Sequence, residues 1–250
     1  MNSVVYHYTS IDILDKILRF KKLRFSEMNS LNDKSEYQYG IQLLKDRIVE
    51  FEEENNVSSP FEISMLDRFS FRDSLFSISF TEYGDDLAFW NSYYVDKEKS
   101  VSIGFTKDSV FNDNFIINQC IYGNPYPKMS RERYNWFRKI FDLNTKLSNI
   151  TEREYLQITF QTAHIKQKAF KIENEFRSVS FCPKDKELGE FTRNGKSVRF
   201  FDQSFQVNSI SEIIIGPSVK QISNFMEVRS LIDELGLDIE IKRSAIPLEL

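Results

Sequence analysis

The chain has 250 residues, a formal net charge of −4 and 41% hydrophobic residues. This length and apolar content are typical of a globular protein with a sizeable core, and they exclude a largely disordered chain. The acidic charge argues against a protein that coats nucleic acid through a basic excess. One local basic stretch is interpreted as a solvated helix end; it contains Lys16, Arg19, Lys21, Lys22 and Arg24.

The first half of the chain alternates between short strands and helices. Strands are predicted over residues 3–8 and 23–26, around a helix over residues 10–18 in which Ser10 is the N-cap. Helices over residues 34–54 and about 60–68 and a strand over residues 74–81 follow. A helix beginning at Asp85 and Asp86 precedes strands over residues 100–105 and 115–122.

The second half begins with a largely helical segment over residues 129–168, interrupted near residue 149. Strands are then predicted over residues 176–182, 197–207, 211–217 and 238–242, with a charged loop over residues 184–195 and a helix over residues 223–235. This order indicates an α+β fold. We expect one domain, residues 1–250, with helical insertions at about residues 35–70 and 129–168.

The sequence provides no pattern for a metal or membrane site. Cys120 and Cys182 are the only cysteines, they form no CxxC motif, and the two histidines are far apart. No segment has the length of a membrane span, and the first residues lack the features of a signal peptide. We therefore expect a cytoplasmic protein with free thiols, no metal and no membrane partner.

Two carboxylates stand two positions apart at Glu173 and Glu175, ahead of a strand-like pattern. Residues i and i+2 of a strand share one face, where like charges repel. The pair therefore predicts a shared target: a cation, a hydroxyl or a developing positive charge. The alternative is a solvated strand edge in which Glu175 pairs with a nearby Lys or Arg.

A histidine, His7, lies in a short strand immediately before a predicted helix start. Free N–H groups at a helix start favour a phosphate or a ribose hydroxyl. Alternation places Thr9 on the same face as His7, and Tyr6 and Tyr8 on the other. The alternative is a core histidine with both ring nitrogens satisfied. The second histidine, His164, is expected at the surface of a helix.

Two further segments suggest a binding surface. Ser77, Ser79 and Thr81 share one face of a predicted strand, which indicates either a polar cleft or solvent on that side. Trp90 and Tyr94 are four residues apart on a predicted helix, where they either pack in the core or stack on a flat ring such as nicotinamide or adenine. The sequence contains no GxGxxG, Walker, HExxH or GxSxG motif, which argues against Rossmann-type and P-loop nucleotide binding.

In this order, the segments resemble the ADP-ribosyltransferase superfamily and a bacterial family known only as a domain of unknown function. The matching motifs are YHYTS at 6–10, LNDKSE at 31–36, SISF at 77–80, FW at 89–90 and ENEFR at 173–177. Lys34 stands where that family has Pro, and Phe176 where it has Trp. The resemblance implies an ADP-ribosyltransferase-like split β-sheet core with inserted helices, and NAD as a substrate without a metal.

The resemblance also implies roles for individual residues. Glu175 would bind the ribose 2′-hydroxyl and stabilise the oxocarbenium-like transition state, and Glu173 would orient or deprotonate the acceptor. The implied NAD-binding residues are His7 and Thr9 at the ribose or pyrophosphate, Ser77, Ser79 and Thr81 beneath the nicotinamide ribose, and Tyr8, Trp90 or Tyr94 against the nicotinamide.

The implied function is transfer of ADP-ribose from NAD to a macromolecular acceptor, either a protein side chain or a nucleic acid, by a toxin or an antiviral effector. Two alternatives stay open. The first is a catalytically inactive module on the same fold that senses a nucleotide or binds a partner. The second is a related chemistry, either NAD hydrolysis or 2′-phosphate transfer from RNA.

Overall fold

The predicted α+β class is confirmed by a large mixed sheet with helices packed against it. The structure is a computed structural model, and it describes residues 3–28, 34–62, 64, 66, 75–92, 97–111, 115–140, 162–193 and 195–247. No helix within these ranges is both long enough and apolar enough to cross a membrane.

The described elements follow one another in short alternation. The strands are β1 Val4–Ser10, β2 Lys22–Glu27, β3 Leu75–Thr81, β4 Ser100–Thr106, β5 Ile117–Gln119, β6 Ile121–Tyr122, β7 Ile165–Lys166, β8 Glu175–Phe181, β9 Gly189–Arg193, β10 Lys196–Ser204, β11 Ile210–Ile215 and β12 Glu240–Arg243. The α-helices are α1 Ile11–Phe20, α2 Lys34–Glu54, α3 Leu87–Ser92, α4 Arg131–Ile140 and α5 Gln221–Glu234.

Ten of these strands form one sheet. Eight lie in the order β12-β11-β4-β1-β3-β2-β10-β9, and β8 joins β3 and β5 outside that path. The β11–β12 pair is parallel, and the other pairs in this sheet are antiparallel. A separate two-stranded parallel sheet joins β6 to β7.

The large sheet is split along one edge of β3. The other edge of β3 pairs with β8 along its whole length. On the split edge, Thr81 pairs with Tyr6 of β1, whereas Ser77 pairs with Ser26 of β2. The strands β1 and β2 therefore separate from β3 on either side of Ser79, and the sheet opens at that point.

Helices α1 and α5 cover one face of the sheet. Their buried side chains, such as Leu14 and Ile232, share a core with Phe25, Phe105 and Ile213 of the strands. Helix α1 is specified locally, because the Ser10 hydroxyl accepts a hydrogen bond from the Ile13 N–H at 3.3 Å. The prediction of Ser10 as an N-cap is confirmed.

A second core lies between α2, α4 and the far end of the β3–β8 pair. It includes Leu44, Ile48, Phe137, Leu75 and Val179. The predicted helices over residues 34–54 and after residue 129 supply its apolar side chains. The two cores leave the polar face of β3 and β8 open.

Three local predictions are wrong. Residues 115–122 form two short strands in different sheets instead of one strand. Residues 189–193 form β9 instead of a loop, because Gly195, at φ +72°, allows a tight turn into β10. Residues 165–166 form β7 instead of ending a helix. Tyr94, residues 31–33 of the LNDKSE motif and residues 63, 65, 67 and 68 of the helix predicted over residues 60–68 lie outside the described residues.

Candidate functional site

A cleft of about 570 Å³ lies where the sheet opens between β1, β2 and β3. This volume is within the range of small-molecule sites. Seven of the predicted site residues line the cleft: His7, Tyr8, Ser77, Ser79, Thr81, Glu173 and Glu175. Three strands that are remote in sequence, β1, β3 and β8, therefore bring an imidazole, hydroxyls and the Glu175 carboxylate together, and Glu173 joins them from the segment before β8.

His7 occupies the gap between β1 and β3. Its Nδ1 lies 3.0 Å from the Ser79 carbonyl oxygen, and its ring meets the edge of Phe80 at 5.8 Å. A carbonyl only accepts, so Nδ1 carries the proton. Burial lowers the pKa of His7, and the hydrogen bond to Ser79 opposes this only in part. The imidazole is therefore neutral at pH 7, with Nε2 as a hydrogen-bond acceptor.

The two carboxylates meet for a different reason from the predicted strand alternation. Glu173 ends a 3-10 helix, Lys168–Glu173, and β8 begins only at Glu175. Asn174 between them is in the left-handed region, at φ 37°. The prediction that both lie in one strand is wrong, yet both carboxylates reach the same ammonium, because Lys166 Nζ lies 2.5 Å from each of them.

Glu175 is held in a buried network of ion pairs. Arg177 donates from Nε to Glu175 Oε1 at 2.5 Å and from Nη2 to Oε2 at 3.0 Å. It also donates from Nη1 to the Ala163 carbonyl at 3.1 Å. Burial alone would raise the pKa of Glu175, but the Arg177 and Lys166 charges outweigh it and lower the pKa to about 2. The pairing of Glu175 with Lys or Arg, expected for a solvated edge, occurs at the base of a cleft instead.

Hydrogen bonds from several elements fix the turn that carries the carboxylates. The Thr81 hydroxyl donates to the Glu173 carbonyl at 2.9 Å. The Glu175 N–H donates to the Tyr122 hydroxyl at 2.7 Å, and the Cys120 N–H donates to the Glu175 carbonyl at 2.8 Å. The carboxylates are therefore positioned before any ligand binds.

Strand β3, which carries Ser77, Ser79 and Thr81, forms the floor of the cleft. Ser79 lies at the opening of the sheet, and its backbone pairs with Arg177 of β8. The Ser77 hydroxyl is buried and has no hydrogen-bond partner among the described residues. An unpaired buried hydroxyl beside a cleft is an available contact for a polar ligand. The sequence predicted either a polar cleft or solvent on this face of the strand, and in the structure the face lines a cleft.

Two aromatic rings, Tyr8 and Phe89, form an aromatic wall of the cleft. Tyr8 stacks on Phe89 at 5.2 Å with 23° between the rings, and both line the cleft. The Tyr8 hydroxyl donates to the Tyr83 carbonyl at 2.9 Å, which fixes the ring. Trp90 does not line the cleft: it is 4% exposed behind Tyr8 and donates from Nε1 to Asp85 at 2.8 Å. Of the two predicted roles for Trp90, packing in the core and stacking on a ligand ring, the structure has packing in the core.

Two other predicted residues lie away from the cleft lining. Thr9 belongs to β1 and pairs with Val101 of β4, beyond the residues that line the cleft. His164 was expected on a helix surface, which is wrong. It lies in the turn before β7 and is 8% exposed, because its ring packs under β8 with Nε2 3.4 Å from the Arg177 carbonyl.

Sequence reasoning missed the basic side chains of the cleft, which are Arg24, Lys166, Arg177 and Arg193. Arg177 follows Glu175 by two positions in β8, so strand alternation could have identified it. Lys166 lay in a stretch that was predicted to be helical and had no such indication. Arg24 belongs to the basic stretch and pairs with Asp202 at 3.0 Å.

The charges of the lining favour an anionic ligand. Four basic side chains and the carboxylates of Glu173 and Glu175 line the cleft, and His7 is neutral. Because Arg24 is paired with Asp202, the lining carries an excess of one positive charge. Excess positive charge in a cleft attracts phosphate groups. Among the described residues, no three His, Cys, Asp or Glu side chains are grouped so that they could hold a metal ion.

No family model and no curated protein matches the chain. Two solved structures are similar to it: Thermus sp. 2.9 DarT in complex with NAD+, at 12% identity and a TM-score of 0.35, and Thermus sp. 2.9 DarT in complex with ADP-ribosylated ssDNA, at 11% identity and a TM-score of 0.36. Both alignments cover 97% of this chain, and they cover 95% and 94% of the DarT chains. At these TM-scores the likeness carries no argument about function, which is inferred from the geometry of the cleft.

Proposed function

We propose that the chain binds NAD in this cleft and transfers its ADP-ribose group to a macromolecular acceptor. The observation that carries the proposal is the convergence of His7, Ser79 and Glu175 from three remote strands at the opening of the sheet. The cleft volume, the excess of basic side chains and the aromatic wall are consistent with a dinucleotide that has two phosphates and a flat ring.

NAD binding is assigned to the side chains whose chemistry matches its parts. His7 Nε2 accepts a hydrogen bond from a ribose hydroxyl, since Nδ1 is committed to Ser79. Arg24 and Arg193 lie along the cleft for the diphosphate, and the Tyr8–Phe89 wall stands beside the nicotinamide. Trp90 and Thr9 are left out of this assignment because neither lines the cleft.

In the proposed reaction, the bond between ribose C1′ and the nicotinamide nitrogen breaks, and its electron pair leaves with neutral nicotinamide. An acceptor nucleophile forms a bond to C1′ and gives its proton to Glu173. Glu175 stabilises the positive charge that develops on the ribose, since a fixed carboxylate lowers the energy of such a transition state. Removing one carboxylate is expected to cost about 3 kcal/mol, or roughly a hundredfold in rate.

The test is incubation of the protein with NAD that carries a label on its adenylate, together with a cell lysate. Nicotinamide release and label on a macromolecule are followed separately. We expect both in the wild type, and at least a roughly hundredfold loss in Glu173→Gln with NAD still raising its melting temperature. Glu187→Gln, at an exposed position in the loop before β9, is the matched control. Normal transfer by Glu173→Gln would refute its role.

A second candidate function, a nucleotide-binding module without catalysis, is favoured by one observation. Both Glu175 oxygens are engaged by Arg177 and Lys166, and the side chain is only 5% exposed. Under this alternative NAD or a related nucleotide raises the melting temperature, but neither nicotinamide nor labelled product appears. Substitution of His7 by Ala weakens binding in both cases, so product analysis separates them.

A further inference from the structure

Lys166 is a basic side chain that touches both carboxylates of the site. Its Nζ lies 2.5 Å from Glu173 Oε2 and 2.5 Å from Glu175 Oε2. The side chain is 2% exposed, and its ammonium lies 5.3 Å from the centre of the Phe170 ring. It projects from β7, which belongs to the small sheet and reaches the cleft from outside the large one.

Two carboxylates that lie within hydrogen-bonding distance of one atom are close enough to repel each other strongly. Without a cation between them, such a pair takes up a proton at a higher pH than a single carboxylate does. A neutral carboxylic acid neither stabilises a positive charge nor accepts a proton from an incoming nucleophile. The site therefore depends on whatever keeps both groups ionised.

Arg177 is directed at Glu175: it donates twice to that carboxylate and once to the Ala163 carbonyl. The remaining titratable groups around the pair lie on other elements: Tyr122 of β6, Cys120 before β6, His7 of β1 and His164 before β7.

We propose that Lys166 is a positioning residue of the proposed reaction, which holds Glu173 and Glu175 ionised and directed toward the same point of the cleft. The inference deepens the proposed function and rests on it for its catalytic consequence. Lys166 acts through the two carboxylates, as a fixed positive charge.

The test compares Lys166→Met with Lys166→Arg and with Lys171→Met. Lys171 is an exposed lysine of the 3-10 helix that ends at Glu173. The rate of nicotinamide release is measured from pH 4.5 to 8.5. We expect Lys166→Met to lose activity at the acid end, with a midpoint at least about one unit above that of the wild type. Lys166→Arg restores the wild-type profile, and Lys171→Met leaves it unchanged.

A second measurement keeps this test separate from the proposed function. Carbon-13 NMR follows the two carboxylates directly, and Glu173→Gln assigns their signals. If the wild type releases no nicotinamide, the proposed reaction fails, while a raised carboxylate midpoint in Lys166→Met still supports the role of Lys166. An unchanged midpoint in Lys166→Met overturns it, whatever the activity.

If Lys166→Met does not fold, the double variant Lys166→Met/Glu173→Gln decides. Removing one carboxylate together with the lysine leaves Glu175 balanced by Arg177, so folding is recovered when repulsion between the carboxylates is the cause. Failure of the double variant to fold shows that Lys166 only fills space, which overturns the proposal.

Discussion

Replacing Glu175 by Gln tests the electrostatics of the cleft directly. The side chain is buried between Arg177 and Lys166, and its pKa is lowered from the ordinary 4.5 to about 2. A difference of about 2.5 units corresponds to about 3 kcal/mol of folding free energy, at 1.36 kcal/mol per unit. Glu175→Gln also leaves two buried cations with less negative charge, and the loss of one partner of a buried pair commonly costs about 3–5 kcal/mol.

The sign of the pH dependence follows from the lowered pKa. A carboxyl whose folded pKa lies below its unfolded one contributes stability above the unfolded value, and the contribution disappears as the pH falls toward the folded value. For Glu175 this window runs from about pH 4.5 down to about pH 2. Between pH 5 and pH 3, the difference in unfolding free energy between wild type and Glu175→Gln therefore shrinks by about 2 kcal/mol.

Urea unfolding at 20 °C, followed by circular dichroism at half-unit steps of pH, measures this difference. Subtracting the unfolding free energy of the variant from that of the wild type at each pH removes the contributions of the other carboxylates. Glu187→Gln is the control, because Glu187 is exposed and forms no ion pair within the described part of the chain. This variant should track the wild type at every pH. A difference that stays constant from pH 5 to pH 3 would show that Glu175 is not held as an ionised, buried partner.

Three further predictions concern other parts of the site and the fold. Burial lowers the pKa of His7, so the unfolded chain protonates first, and the stability advantage over His7→Asn should fall as the pH drops below 6.5. A Cβ at Gly40 would lie 2.5 Å from the Thr162 carbonyl oxygen, so Gly40→Ala should destabilise by about 1–3 kcal/mol in urea unfolding despite the better helix propensity of Ala. Thr81→Val removes the hydrogen bond to the Glu173 carbonyl, which should cost about 1 kcal/mol and slow nicotinamide release.

The Gly40 and Thr81 predictions each have a control on the same kind of element. Glu53→Ala, at an exposed position of α2, should change stability by no more than about 0.5 kcal/mol. Thr192→Val, at an exposed position of β9, should leave nicotinamide release unchanged. A pH-independent effect of His7→Asn, a stabilising Gly40→Ala or an equal effect of the two threonine substitutions would contradict the corresponding prediction.

The elements that the sequence predicted well are those whose pattern is local. Ser10 before an apolar stripe gave the start of α1, and the long helix over residues 34–54 has the predicted bounds. Alternation over residues 74–81 identified β3. In each case, neighbours within one or two turns of chain determine the structure.

The parts that the sequence did not predict depend on contacts between remote segments. Lys166 lies in a two-residue strand that exists only because β6 pairs with it. The Glu173 carboxylate reaches the cleft through a left-handed Asn174, which no periodicity indicates. Trp90 and Tyr8 both looked suited to stacking, and only the packing of α3 against β1 determines which ring lines the cleft.

The charge balance of the cluster bears on how catalysis would operate. Two carboxylates, one ammonium and one guanidinium sum to zero, so the site does not attract a cationic ribose through net charge. Its effect would come from the fixed positions of the charged groups. The Glu173 side chain is 22% exposed and Glu175 only 5%, and their partners Lys166 and Arg177 are 2% and 5% exposed. Fixed groups of this kind stabilise a transition state without reorganising during the reaction. The ion pairs around Glu175 are therefore compatible with the proposed transfer, because Arg177 and Lys166 keep the carboxylate ionised and hold it in a fixed position.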